Sequence, residues 1–97
     1  MKLRIVKKKN GDDTVLLTMI GELSVYTVSK LKDILLKELE TFSGIVMNLE
    51  GIDEADTAGF QLLLFLKREA NSAGKIFTIN EKSTRINSLF SLYNEKI

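Results

Sequence analysis

Ile45-Val46-Met47-Asn48-Leu49 is a short apolar run bounded by Gly44 and Gly51. A segment apolar at nearly every position has no polar face for water. As a strand it must be covered on both sides, which is the pattern of a buried central strand with parallel neighbours. The segments flanking it carry helical spacing instead. Val28, Leu31, Leu35 and Leu39 recur from Thr27 to about Glu40, and a second amphipathic stretch runs from Ala58 to Ala73, where Gly74 supplies a stop. A strand between two helices calls for crossover connections. These are right-handed, so both helices fall on one face of the sheet.

The remaining elements follow from shorter signals. Leu3 to Val6 has strand character, Asn10-Gly11 reads as a hairpin turn, and Thr14 to Ile20 reads as the return strand, ended by Gly21. Lys75 to Asn80 is a fourth strand. Ser83 or Thr84 caps a last helix with the stripe Ile86, Leu89, Phe90, Tyr93 and Ile97. The expected architecture is α/β: a mixed four-stranded sheet with an N-terminal antiparallel hairpin, in the order β-β-α-β-α-β-α. No linker-like stretch interrupts residues 1–97, which read as a single domain.

Composition removes several function classes. The chain has no Cys and no His. Thiolate nucleophiles, imidazole acid–base chemistry, disulfides and Cys/His metal sites are therefore excluded; a carboxylate-only metal site stays formally open, and the expectation is no metal and no cofactor. Lys plus Arg is 14 and Asp plus Glu is 13, a net charge of +1, without the positive field of a dedicated nucleic-acid binder. Lys7-Lys8-Lys9 reads as a solvated strand end. The longest unbroken apolar run, Leu62 to Leu66, falls far short of the roughly 20 residues of a membrane span. No signal peptide is legible in the N-terminal residues, and the expectation is a cytoplasmic protein.

One segment carries functional signal. After the central strand come Glu50, Gly51, Ile52, Asp53, Glu54 and Ala55, read as a loop, and then Asp56-Thr57-Ala58-Gly59-Phe60 opening the second helix. This is the carboxyl end of a strand, where sites in α/β sheets concentrate. Two readings stand. In one, Asp56 is only an N-cap and Gly59 a close-packing position. In the other, Thr57 is an exposed hydroxyl at a helix mouth, where phosphorylation adds negative charge that the helix end tolerates and Asp53, Glu54 and Asp56 oppose. The helical projection places Ala58, Gly59, Leu62, Leu63, Leu66, Ala70 and Ala73 on the sheet-facing side. Phe60 and Leu64 fall nearly opposite, either under another helix or as a docking patch.

The element order, Gly21-Glu22-Leu23 before the first helix, and Asp56-Thr57-Ala58-Gly59 followed by a leucine-rich helix resemble a STAS domain over about residues 3–95. The resemblance implies a binding module rather than an enzyme. In the bacterial anti-sigma-factor antagonists of this family, the hydroxyl residue after the Asp is phosphorylated by a serine/threonine kinase-type anti-sigma factor, and the phosphorylated form lets go. That position is Thr57 here. Asp56, Ala58, Gly59, Phe60, Ser24 and Leu64 then belong to the partner-binding surface. Three positions depart from the common pattern: Ser24 replaces an acid, Asn48 replaces Asp, and Thr57-Ala58 replaces a pair of hydroxyl residues. Asp-Thr-Ala-Gly is also similar to STAS subunits of lipid-transport ATP-binding-cassette complexes and to chemotaxis-linked STAS proteins. In the transport complexes the domain is a structural subunit and its Thr supports docking. An enzyme built on acids such as Glu54 and Asp56 is the remaining reading, opposed by the habit of clustered loop acids to form a solvated face.

Overall fold

A computed structural model of the chain describes residues 2–94. The elements are β1 (Leu3–Lys9), β2 (Thr14–Leu23), α1 (Val28–Thr41), β3 (Gly44–Ala55), α2 (Thr57–Ser72), β4 (Ile76–Lys82) and α3 (Thr84–Tyr93). They form one four-stranded sheet in the order β1-β2-β3-β4. β1 pairs antiparallel with β2, while β2–β3 and β3–β4 are parallel. The expected order and mixed sheet are both present. The core-facing side carries Val15, Leu17 and Met19 of β2 and Ile45, Met47 and Leu49 of β3, all at most 1% exposed. α1 covers them with Leu31, Leu35 and Leu39, and α2 with Leu62, Leu63, Leu66 and Ala70. α1 and α2 touch one another, so they lie on the same face, and α3 packs on β3, β4 and α2.

The ends of β1, β2 and β3 and the hairpin turn differ from the sequence reading. β1 continues past Val6 to Lys9. Lys7, Lys8 and Lys9 are all exposed, as expected of a solvated strand end, and Lys7 Nζ donates to Glu38 Oε1 of α1 at 2.8 Å. The hairpin turn does not use glycine's conformational freedom, since the left-handed residue is Asp13 (φ 65°), not Gly11. Asp12 organises that turn by accepting from the backbone N–H and hydroxyl of Thr14, and the hydroxyl bond holds its carboxyl below the usual range.

β2 also does not stop at Gly21. It passes through Gly21 at φ 118° and runs to Leu23. A side chain at Gly21 would strike the carbonyl of Lys2, so only glycine lets β2 keep pairing with the start of β1. The stretch expected as a loop, 50–56, is instead strand as far as Ala55. The reason is two irregularities in the β2–β3 register, between Thr18 and Ile20 and between Gly21 and Glu22. Each inserts an extra β3 residue and shifts which parity faces the core. Leu49 faces the core, then Ile52, with the acids Glu50, Asp53 and Glu54 left outside.

β3 thus delivers α2 against the end of β2. Gly59 sits in that contact. A Cβ there would lie 2.8 Å from Leu23 Cγ and closer still to the Leu23 carbonyl oxygen. Backbone cannot yield as a side-chain tip can, so Gly59→Ala is expected to destabilise the fold by about 1–3 kcal/mol. At an unconstrained helix site the same change is favourable by about 1 kcal/mol. Urea denaturation distinguishes the two signs.

Candidate functional site

Asp56 has extended backbone (φ −136°, ψ −176°) and closes the N-terminus of α2. One carboxylate oxygen, Oδ1, accepts from the Gly59 N–H at 3.1 Å. The other, Oδ2, accepts from the Val25 N–H at 3.0 Å, across to the loop between β2 and α1. The Asp56 N–H in turn donates to the Leu23 carbonyl at 3.2 Å. Both oxygens are therefore committed to backbone, and the residue ties two loops together as well as capping a helix.

Thr57 is the first residue of α2 and is exposed. Its hydroxyl is not bare: Thr57 Oγ1 and Tyr93 Oη share a hydrogen bond of 2.5 Å. The Tyr93 ring lies stacked on Phe60 at 4.4 Å between centroids and 15° between planes. Phe60 meets Phe90 edge-on at 5.6 Å. Such pairs add about 0.5–1.5 kcal/mol beyond area burial. The last turn of α3 is thus pinned to the first turn of α2 by a ring stack and one polar bond.

The site residues expected from sequence separate into two groups. Thr57 is exposed, Asp56 and Ala58 are half-buried at the helix mouth, and Leu64 is half-buried one turn beyond Phe60. Gly59 and Phe60 are buried, Phe60 to 2% exposure, because α3 covers that side of α2. Of the two sequence alternatives for Phe60, coverage by another helix is the one realised, and an exposed Phe60 patch is corrected accordingly. Ser24 is also buried, at 6% exposure. It donates to Glu22 Oε2 at 2.5 Å and accepts from the Tyr26 N–H at 3.2 Å. Ser24, Gly59 and Phe60 shape the surface from beneath. Ile97, expected on the α3 stripe, lies outside the described residues.

Sequence reasoning missed the exposed apolar side chains on the β2–α1 loop and at the end of α3. Val25 is 59% exposed and Tyr26 79%, on the loop that Asp56 grips, and Leu92 is 75% exposed one residue before Tyr93. The available signal was weak but present. Val25-Tyr26 precede the helical stripe of α1, and Leu92 falls off the Ile86–Phe90 face of α3. Among the described residues, no helix is long and apolar enough to cross a membrane, and no group of three or more acids could hold a metal ion.

Asp56→Ala removes the cap and the tie to the loop, and is expected to cost about 1–2 kcal/mol in urea denaturation; Asp56→Asn keeps one acceptor oxygen but turns its NH2 toward the other backbone N–H, and is expected to cost about 1–2 kcal/mol as well. Tyr93→Phe keeps the stack and deletes one hydrogen bond, for an expected loss of about 0.5–1.5 kcal/mol by the same measurement.

Comparison with known proteins places this geometry. The chain superposes on the anti-sigma-factor antagonist SpoIIAA in its unphosphorylated form with a TM-score of 0.79 and 18% identity, over 94% of this chain and 81% of that one. The phosphorylated form of SpoIIAA, described as a Bacillus cell-fate determinant, gives 0.74 and 18%, over 93% and 83%. An anti-sigma-factor antagonist from Mycobacterium paratuberculosis gives 0.80 and 12%, over 95% and 78%. At these identities the likeness establishes a shared fold. Membership rests on the sequence match: residues 6–95 fit the family model described as "Mlab, STAS domain", and the chain belongs to the STAS-domain family.

Proposed function

We propose that this chain is a regulatory protein-binding module of the anti-sigma-factor-antagonist type, docking through the Asp56-Thr57 end of the sheet and released by phosphorylation of Thr57. The observation that carries this reading is the division of labour between neighbours. Asp56 turns both oxygens inward to backbone, while Thr57 stands exposed at the first turn of α2. A phosphoryl group there adds roughly −1.5 to −2 charges to a docking face without entering the core. Val25, Tyr26, Leu92 and Tyr93 supply the apolar and aromatic anchors that protein interfaces favour. The partner is a serine/threonine kinase-type anti-sigma factor. It moves the γ-phosphoryl of a nucleoside triphosphate onto Thr57 Oγ1: the new O–P bond forms as the bond to the diphosphate breaks, and the hydroxyl proton passes to a base on the kinase. The structural likeness to antagonists, one of them in both unphosphorylated and phosphorylated forms, supports the class.

A second reading has its own support. The matching family model carries the Mlab description, and the Thr57 hydroxyl is already engaged by Tyr93. A non-switching interaction subunit of a transporter or chemotaxis complex would use Thr57 as a fixed docking contact. The two readings separate cleanly. Incubation with ATP and a candidate kinase is expected to add about 80 Da, one phosphoryl group, lost in Thr57→Ala. Thr57→Glu is expected to weaken partner binding by about tenfold or more, or 1.4 kcal/mol, while Thr57→Ala binds near normally. Equal binding by Ala and Glu variants overturns the switch in favour of the fixed subunit.

A further inference from the structure

Beside Thr57 lies a cavity of about 320 Å³ between the α2 N-terminus and α3, with Arg85, Ser88, Leu89 and Leu92 on its walls. Three observations bear on what it holds. First, Tyr93 Oη sits 2.5 Å from Thr57 Oγ1 and occupies one side of the hydroxyl, so a group added to that oxygen is directed to the free side. Second, Asp56, the carboxylate among the described residues lining the cavity, has both oxygens engaged by backbone N–H groups, which lessens its opposition to an incoming anion. Third, Arg85 is the one cation among the described residues lining the cavity. Among the described residues its ion-pair partner is Glu54, at 3.7 Å between Arg85 Nη2 and Glu54 Oε2, with both side chains more than half exposed. A pair so long and so wet is weak, and the guanidinium fork suits a phosphate better than one distant oxygen.

We propose that this cavity is the intramolecular seat of a phosphoryl group on Thr57, with Arg85 leaving Glu54 to take the phosphate oxygens and the Ser88 hydroxyl donating to them. This rests on Thr57 as the modified residue, and deepens that reading by assigning an acceptor within the same chain. Seating the phosphate shifts Arg85 from the outer edge of β3 to the mouth of α2. The sign of the docking face then changes at two points, position 57 and the vacated Glu54. The phosphate is also tied to the same helix, α3, that the Tyr93 bond holds in the unmodified protein.

The test needs no kinase. Phosphothreonine is installed at position 57 by genetic code expansion, and the second ionisation of the phosphate, near 6 when unperturbed, is followed by phosphorus NMR. An adjacent guanidinium favours the dianion and lowers that value. Arg85→Gln is expected to raise it by about one unit. Because that change also unpairs Glu54, the comparison is repeated in a Glu54→Gln background, where the rise must persist. A rise in both backgrounds supports the seat. A phosphate ionisation indifferent to Arg85 in the Glu54→Gln protein overturns it. Neither result touches whether a partner phosphorylates Thr57, which the mass shift with ATP decides separately.

Discussion

The two-handed carboxylate of Asp56 is the contact on which the functional end of this molecule depends. One oxygen fixes the α2 N-terminus through Gly59 and the other fixes the β2–α1 loop through Val25. Each bond is charge-assisted and made to a backbone amide, so each resists exchange for water more strongly than a neutral pair. Together with the Asp56 N–H to Leu23 bond, they set the end of β2, the end of β3 and the start of α2 into one rigid corner. Gly59 is the steric counterpart: α2 can approach the end of β2 only because no side chain stands between the helix and Leu23.

From that corner the rest of the surface follows. Val25 and Tyr26 are exposed because the loop is held by its backbone, which frees its side chains to face outward. On the other flank, Phe60 is buried so that Tyr93 can be placed on it and reach Thr57. Position 57 is therefore bordered by three separate parts of the chain: residue 25, whose N–H holds Asp56, residues 56–58, and residues 92–93. None of the three is a site by itself. The binding face we propose, built on rigid element ends, loses little entropy on docking.

Much of this was legible beforehand. Helical periodicity located α1, α2 and α3. The order of strands and helices gave the mixed sheet, and Asp-Thr-Ala-Gly marked the cap and the exposed hydroxyl. The failures share a cause. The stretch 50–55 looked like a loop because acids interrupt alternation, yet bulges against β2 reset the parity and keep it in the sheet. Gly21 looked like a strand end because glycine usually marks one. Here it is a strand interior forced to positive φ by close approach to Lys2. Phe60 fell opposite the core stripe of α2, where projection of one helix cannot register that a second helix lies across it.

What the sequence determined alone is whatever depends on neighbours along the chain: periodicity, caps, turns, and the chemistry excluded by the absence of Cys and His. Those are local free energies, set within a few residues. The tertiary structure decided which groups far apart in the chain meet. Val25 reaches Asp56, Tyr93 reaches Thr57, and Arg85 comes to line a cavity with Thr57. No local pattern encodes such meetings, because they depend on how the bulged β3 aims α2 and on where α3 comes to rest against it.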